Sequence, residues 1–208
     1  MADAVELSPL TLNRLSLYLR CLGDLEERGV SRVSSHELAR RYHLSAAQIR
    51  KDLAQLGEFG IRGVGYDVRH LAARLHTRLG LDRRHPLLIV GMGNLGSALA
   101  RYPGFNQGCF EVVAGIDNDP QKVGRKIGAI TVRSTRDLRR LARETGAEIA
   151  CLAVPAEAAP ENFSALCEAG IKAVLNFAPV RLEPRRGVRV KNVDLRTGLE
   201  ELAYFLRE

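Results

Sequence analysis

The chain has 208 residues, with 31 Lys+Arg against 24 Asp+Glu and a net charge of +7. That length admits one large domain or two small ones, each with its own core. Apolar residues make up 46% of the chain, yet no apolar run approaches the roughly eighteen residues of a membrane span. Asp3, Glu6, Arg14 and Arg20 punctuate the N-terminal stretch, so no signal peptide is visible and a cytoplasmic protein without a membrane partner is expected. Cys21, Cys109, Cys151 and Cys167 are widely spaced, with no CxxC pair. They read as core thiols in a reducing compartment, not as a disulfide or zinc framework, and no metal is expected.

Charge is unevenly distributed. From Arg28 to Arg84 there are 12 Lys+Arg and 5 Asp+Glu, and the rest of the chain balances at 19 of each. A basic segment joined to a neutral remainder points to a polyanion partner for the first part alone.

Ser8-Pro9 opens a helix, with Ser as N-cap and Pro in the first turn. Leu12, Leu15, Leu19 and Leu22 repeat along it at helical spacing, and Gly29 stops it. Ser34 and Glu37 form a capping box before a short helix from Glu37 to Tyr42. After a turn at His43-Leu44, Ser45 and Gln48 form a second box. The helix that follows carries Ile49, Leu53 and Leu56 on one face, and Gly57 ends it. Its other side offers Ser45, Ala46, Ala47, Gln48, Arg50 and Lys51 near the N-terminal end, which suits a helix entering a DNA major groove. Phe59 to Tyr66 alternates glycine with apolar residues, as a β-hairpin wing does, and Arg62 and Gly63 at its tip are placed to reach the backbone or the minor groove. The alternative for this module is a small helical dimerisation unit with a hairpin.

A helix and linker from Leu71 to Leu81 lead to a boundary at Arg83-Arg84-His85-Pro86. Leu87-Leu88-Ile89-Val90 then reads as a buried strand, followed at once by Gly91-Met92-Gly93-Asn94-Leu95-Gly96. This GxGxxG opens a helix and is the dinucleotide-binding turn: Gly91 bends, Gly93 admits the pyrophosphate and Gly96 packs helix on strand. A second strand, Val112 to Ile116, ends in Asp117, 21 residues past Gly96. An acidic residue there accepts from the adenosine ribose diol and repels a 2′-phosphate, which selects NADH and NAD+ over their phosphorylated counterparts. Strands at Ile127–Val132, Glu148–Val154, Lys172–Phe177 and Val190–Asp194 alternate with helices at Ser134–Glu144 and Ala156–Ala169, the pattern of a doubly wound parallel sheet. Val154-Pro155 and Asn176-Phe177-Ala178-Pro179 fall at strand ends on the ligand-binding edge. Phe105 and Phe177 have two readings, stacking near a nicotinamide or packing in the core. A last amphipathic helix, Leu195 to Arg207, shows Leu199, Leu202, Ala203 and Leu206 on one face.

The expected fold class is therefore α/β. Residues 1–82 form a winged-helix DNA-binding domain, residues 83–194 a Rossmann-like NAD(H) domain, and residues 195–208 a C-terminal helix. Leu17-Tyr18-Leu19-Arg20, Gln48-Ile49-Arg50-Lys51-Asp52-Leu53, Arg62-Gly63-Val64-Gly65-Tyr66, the glycine turn, Leu175 to Pro179 and Asn192-Val193-Asp194 together resemble the Rex family of redox-sensing transcriptional repressors. The resemblance spans nearly the whole chain. It implies a homodimer joined through the NAD-binding domains, with each terminal helix swapped across the dimer, and release from operator double-stranded DNA when NADH rises. It also implies that Arg20, Tyr102 and Asp194 link ligand state to domain orientation. The family tends to place an aromatic residue after that Asp; here it is Leu195.

The other function class is an NAD-dependent dehydrogenase with an appended helical domain. Hydride transfer to a carbonyl usually needs a general acid or base near the nicotinamide. His36, His43, His70, His76 and His85 all precede the apolar run of the first Rossmann strand, and none of the five tyrosines has a lysine four residues on. Asp194, Lys172 and Lys191 remain as candidate acids or bases. The sequence favours the regulator.

Overall fold

The computed structural model describes residues 7–57, 60–61, 63–106 and 108–206. The chain divides into two compact units, Met1–Arg83 and Arg84–Glu208.

The first unit contains α1 (Pro9–Glu27), β1 (Arg32–Val33), α2 (Ser35–Tyr42), α3 (Ala46–Ala54), β2 (Gly60–Ile61), β3 (Gly65–Asp67) and α4 (Val68–Arg78). Ser8, Ser34 and Ser45 each accept the backbone N–H three residues on, capping α1, α2 and α3. The reciprocal halves of the boxes are replaced: Glu37 pairs with Arg41, and Gln48 turns to Asp52. His43 ends α2 in the left-handed region at φ 53°, which sets the short turn into α3. The buried face of α1 is Thr11, Leu15, Tyr18, Cys21, Leu22 and Leu25, whereas Leu12 is exposed and Leu19 half-buried. The leucine repeat thus gave the period but not the facing, because Thr11, Tyr18 and Cys21 rotate the buried arc away from Leu12. Leu15, Leu22, Leu38, Ile49, Leu53, Leu71 and Leu75 close the core. The sheet runs β1-β3-β2, antiparallel throughout, so the wing is anchored by a third strand preceding α2.

The second unit contains β4 (His85–Val90), α5 (Asn94–Arg101), β5 (Phe110–Asp117), β6 (Lys126–Ile127), β7 (Ile130–Ser134), α6 (Leu138–Thr145), β8 (Ile149–Leu152), α7 (Ala159–Glu168), β9 (Ala173–Asn176), β10 (Arg189–Asn192) and α8 (Leu195–Tyr204). The single strand expected over Ile127–Val132 is two strands. Gly128, at φ 60°, turns the chain so that β6 pairs antiparallel with β7. All other pairs are parallel, in the order β10-β9-β8-β4-β5-β7-β6. Leu88 and Val90 face one core, with Phe163 and Leu166 of α7, and Leu87 and Ile89 face the other, with Met92 and Ala100. Burial on both faces explains why β4 is continuously apolar. The strand order reverses beside β4, between β5 and β8, and ligands bind at such a switch point.

Asp194 caps α8. Leu195, Leu199, Leu202, Phe205 and Leu206, in and just after that helix, are all exposed. No helix among the described residues is long and apolar enough to cross a membrane.

Candidate nucleotide cleft and nucleic-acid interface

Val90, Leu152 and Asn176 pair in register across β4, β8 and β9, so the turns that follow them open on one edge. There a cleft of about 350 Å³ is lined by Gly91, Gly93, Asp117, Lys122, Val154 and Pro155, among others. Gly91 leaves β4 at φ 91°, and a Cβ on it would collide with the Ala153 carbonyl. A Cβ on Gly96 would collide with the Gly91 carbonyl, whereas one on Gly93 would meet nothing within 4 Å. Two glycines are therefore required by protein packing, and the third leaves open space. Gly93 also starts α5 without a side-chain cap. An uncapped helix N-terminus beside open space fits a pyrophosphate. Asn94 and Leu95 begin that helix. Met92 does not face the cleft. It is buried, and its sulfur packs 2.6 Å from where a Cβ on Gly115 would stand.

Asp117 is 6% exposed and accepts from the Met92 N–H at 2.8 Å, the Asp119 N–H at 2.8 Å and Lys122 Nζ at 3.1 Å. Burial opposes its charge, but the two amides and Lys122 prevail and hold the carboxyl below its ordinary range. A carboxylate has about four lone-pair sites, so three protein donors leave about one for a ligand. Sequence reading missed Lys122. Its only signal was a cation five residues past the acidic strand end.

Asn176, expected at the cofactor, is fully buried. Its Nδ2 donates to the Val180 carbonyl and to Asn192 Oδ1, both at 2.8 Å, and its Oδ1 accepts the Ala178 N–H at 3.0 Å. The amide is thus engaged within the fold. Ala178 is buried, Pro179 is exposed, and Phe177 and Phe105 pack against the core that holds Leu87 and Ile89. None of Asn176 to Pro179 lines the cleft.

On α3, Ser45, Ala47, Arg50 and Lys51 are exposed, and Ala46 and Gln48 are half-buried. Arg50 Nη1 donates to Ser35 Oγ at 3.0 Å, bracing α3 on α2. Gln48 Nε2 donates to Asp52 Oδ1 at 2.7 Å. Asp52, fully buried, also receives Arg14 Nε and Nη2 at 2.6 and 2.8 Å and the Tyr18 hydroxyl at 2.9 Å. Burial opposes this carboxylate too, and Arg14, Gln48 and Tyr18 outweigh it to hold the carboxyl low. Sequence reading missed this cluster, since an Asp between apolar positions looks like a surface residue. Gly63 takes φ 83° in the wing turn, and Arg62 lies outside the described residues.

Arg20 is exposed on α1. Tyr102, also exposed, ends α5 and meets Phe105 edge-on at 5.5 Å. Asp194 Oδ1 accepts the Thr197 N–H at 3.3 Å and the Arg196 N–H at 2.9 Å. These bonds lower its carboxyl.

A basic helical module with a wing, followed by a Rossmann unit with a dinucleotide-type turn, defines a class: DNA-binding regulators tied to a nucleotide. The family model described as "Putative DNA-binding protein N-terminus" matches residues 6–54, and that of the "CoA binding domain" matches residues 82–180. The Redox-sensing transcriptional repressor Rex of Chloroflexus aurantiacus is 44% identical over 197 residues, covering 95% of this chain and 93% of its own. That of Streptomyces coelicolor is 45% identical over 194 residues, covering 93% and 75%. The crystal structure of the Rex-family repressor RSP with β-NAD+ and operator DNA superimposes with a TM-score of 0.92 at 35% identity, covering 97% of this chain and 93% of RSP. RSP with β-NADH gives 0.86 at 34% identity, covering 96% and 94%. The chain belongs to the Rex family of redox-sensing transcriptional repressors.

Proposed function

We propose that this chain binds operator DNA as a homodimer in the cytoplasm and leaves it when NADH fills the cleft. The observation that carries this reading is the cradle of Gly91, Gly93 and Gly96 at the switch point, in a chain 34–35% identical to a repressor solved with β-NAD+ and operator DNA and with β-NADH. Gly93 and the first amides of α5, at Asn94, Leu95 and Gly96, would hold the pyrophosphate, and Asp117 the adenosine ribose. Val154 and Pro155 would line the path toward the nicotinamide, and Phe177, Ala178 and Pro179 would border its end, held by Asn176. The two redox forms differ in that ring, which is neutral when reduced and cationic when oxidised. The residues at that end must therefore prefer one form, because a ligand shifts an equilibrium only through unequal affinity for its two states. On the DNA side, α3 would enter the major groove with Ser45, Ala46, Ala47, Arg50 and Lys51. Gln48 keeps its amide on Asp52, and Gly63 shapes the wing. Arg20, Tyr102 and Asp194 would relay ligand state.

We assign no catalytic step to the cleft. Among the described residues its ionisable lining is Asp117 and Lys122, which bind each other. His85 sits at the first residue of β4, the end of the strand away from the glycine turn. The test is an operator gel shift titrated separately with NADH and NAD+, on a duplex selected from random sequence by this chain. Release by NADH at concentrations where NAD+ leaves the complex intact is expected. Equal effects of the two would overturn the reading.

A further inference from the structure

We propose that Asn192 is a positioning residue that couples the nucleotide edge to α8, an inference that rests on the NADH-release reading above. Asn192 ends β10 directly beside Asn176, which ends β9. Its Oδ1 accepts from Asn176 Nδ2 at 2.8 Å and from the Leu182 N–H at 3.0 Å, and its Nδ2 donates to the Leu182 carbonyl at 3.0 Å. The side chain thus grips one residue of the turn by both its main-chain groups, as a neighbouring strand would. Asn176 grips the same turn at Ala178 and Val180. Two amides therefore clamp residues 178, 180 and 182, in the segment that leaves the ligand-binding edge of β9.

Past the clamp, the Val193 N–H donates to the Asn176 carbonyl at 2.8 Å, and Asp194 caps α8. Only Val193 and Asp194 separate the clamped residue from the first residue of the helix. A satisfied polar network of this kind specifies one geometry, because a small shift leaves buried groups without partners. A displacement of the 178–182 turn by a bound nucleotide is then transmitted to the end of β10, and so to the direction in which α8 departs. With the Asn192 bonds cut, the turn keeps its apolar packing and its bonds to Asn176 but loses its direct side-chain tie to the end of β10, so its movement is passed on less fully to the helix start. The clamp serves neither pyrophosphate nor ribose binding, since Asn192 lies outside the cleft lining.

The experiment uses the full chain and its selected operator duplex. NADH affinity is measured by calorimetry, and operator affinity by fluorescence anisotropy without nucleotide and at saturating NADH. For Asn192→Ala, NADH affinity and nucleotide-free operator affinity should stay within about threefold of wild type, while the NADH-driven fall in operator affinity shrinks about tenfold, within the usual range of allosteric coupling. Asn192→Asp keeps the acceptor for Asn176 and for the Leu182 N–H but loses the donor, and should retain an intermediate response. It also carries the test if the alanine variant does not fold. A full wild-type fall in operator affinity in both variants overturns the coupling role, as does a response lost only in proportion to NADH affinity. A wild-type chain indifferent to NADH overturns the parent reading and the coupling with it.

Discussion

At the residue scale, two aspartates have partners that change how they are tested. Asp117 holds Met92 and Lys122 as well as offering a lone pair to the cleft. Asp117→Ala removes the ribose acceptor and leaves Lys122 in the cleft with the more distant Asp119 carboxylate, at 3.8 Å, beside it. NADH affinity should fall about tenfold or more, the scale of a charge-assisted hydrogen bond, while NADPH affinity falls less or rises. Calorimetry with both cofactors checks this, and an unchanged ratio would remove Asp117 from the ribose. Asp194 is the N-cap of α8 as well as a negative charge, so Asp194→Ala confounds the two. Asparagine caps as well as aspartate. Asp194→Asn should therefore keep the hydrogen-exchange protection of the first turn of α8, which Asp194→Ala loses. If the charge relays ligand state, both variants lose NADH-driven operator release; release by the asparagine variant at the wild-type NADH concentration would assign the residue to capping alone.

At the scale of elements, α3 is held by a buried charge. Asp52 ties it to α1 through Arg14 and Tyr18 and orients Gln48 on its own helix. Removing the carboxylate leaves the buried Tyr18 hydroxyl without its acceptor and frees Arg14 and Gln48, so Asp52→Ala should melt the first unit below wild type in a thermal scan. Lys51→Ala, exposed and without a role in the core, should leave that melt unchanged and weaken operator binding, with a shallower salt dependence as one phosphate contact is lost. Wild-type operator affinity there would remove Lys51 from the interface. The depressed carboxyl of Asp52 fixes the sign of a pH effect. Its folded pKa lies below the unfolded value of about 3.9, so its contribution is fully present above that value and is lost as pH falls through the folded pKa. Acid titration should destabilise the first unit below about pH 4, and Asp52→Asn, whatever its starting stability, should flatten that dependence.

For the whole molecule, the sequence made the strand–helix alternation, the glycine turn and the basic first segment legible, because each is a local pattern with a local cause. Chain periodicity reports which residues can share a face; it does not report which face meets a neighbour. That is why the repeat of Leu12, Leu15, Leu19 and Leu22 marks a helix yet leaves open that Leu12 is exposed and Tyr18 buried, and why Ile127–Val132 reads as one strand although Gly128 reverses the chain within it. Asn176 shows the same limit at the candidate site. Its position at a strand end on the ligand edge followed from the alternation, but its amide is engaged by Val180, Ala178 and Asn192. A hydrogen bond between residues sixteen apart leaves no periodic trace. What the sequence determined by itself was the order of the main helices and parallel strands, the family and the residues able to cradle a dinucleotide, since these rest on backbone conformation and short-range spacing. Only the tertiary structure decided that Lys122 neutralises Asp117, that Asp52 is a buried anchor and that Asn192 clamps the edge turn. Each of these depends on desolvation and on donors brought from a distance, and both come into being only when the chain closes on itself.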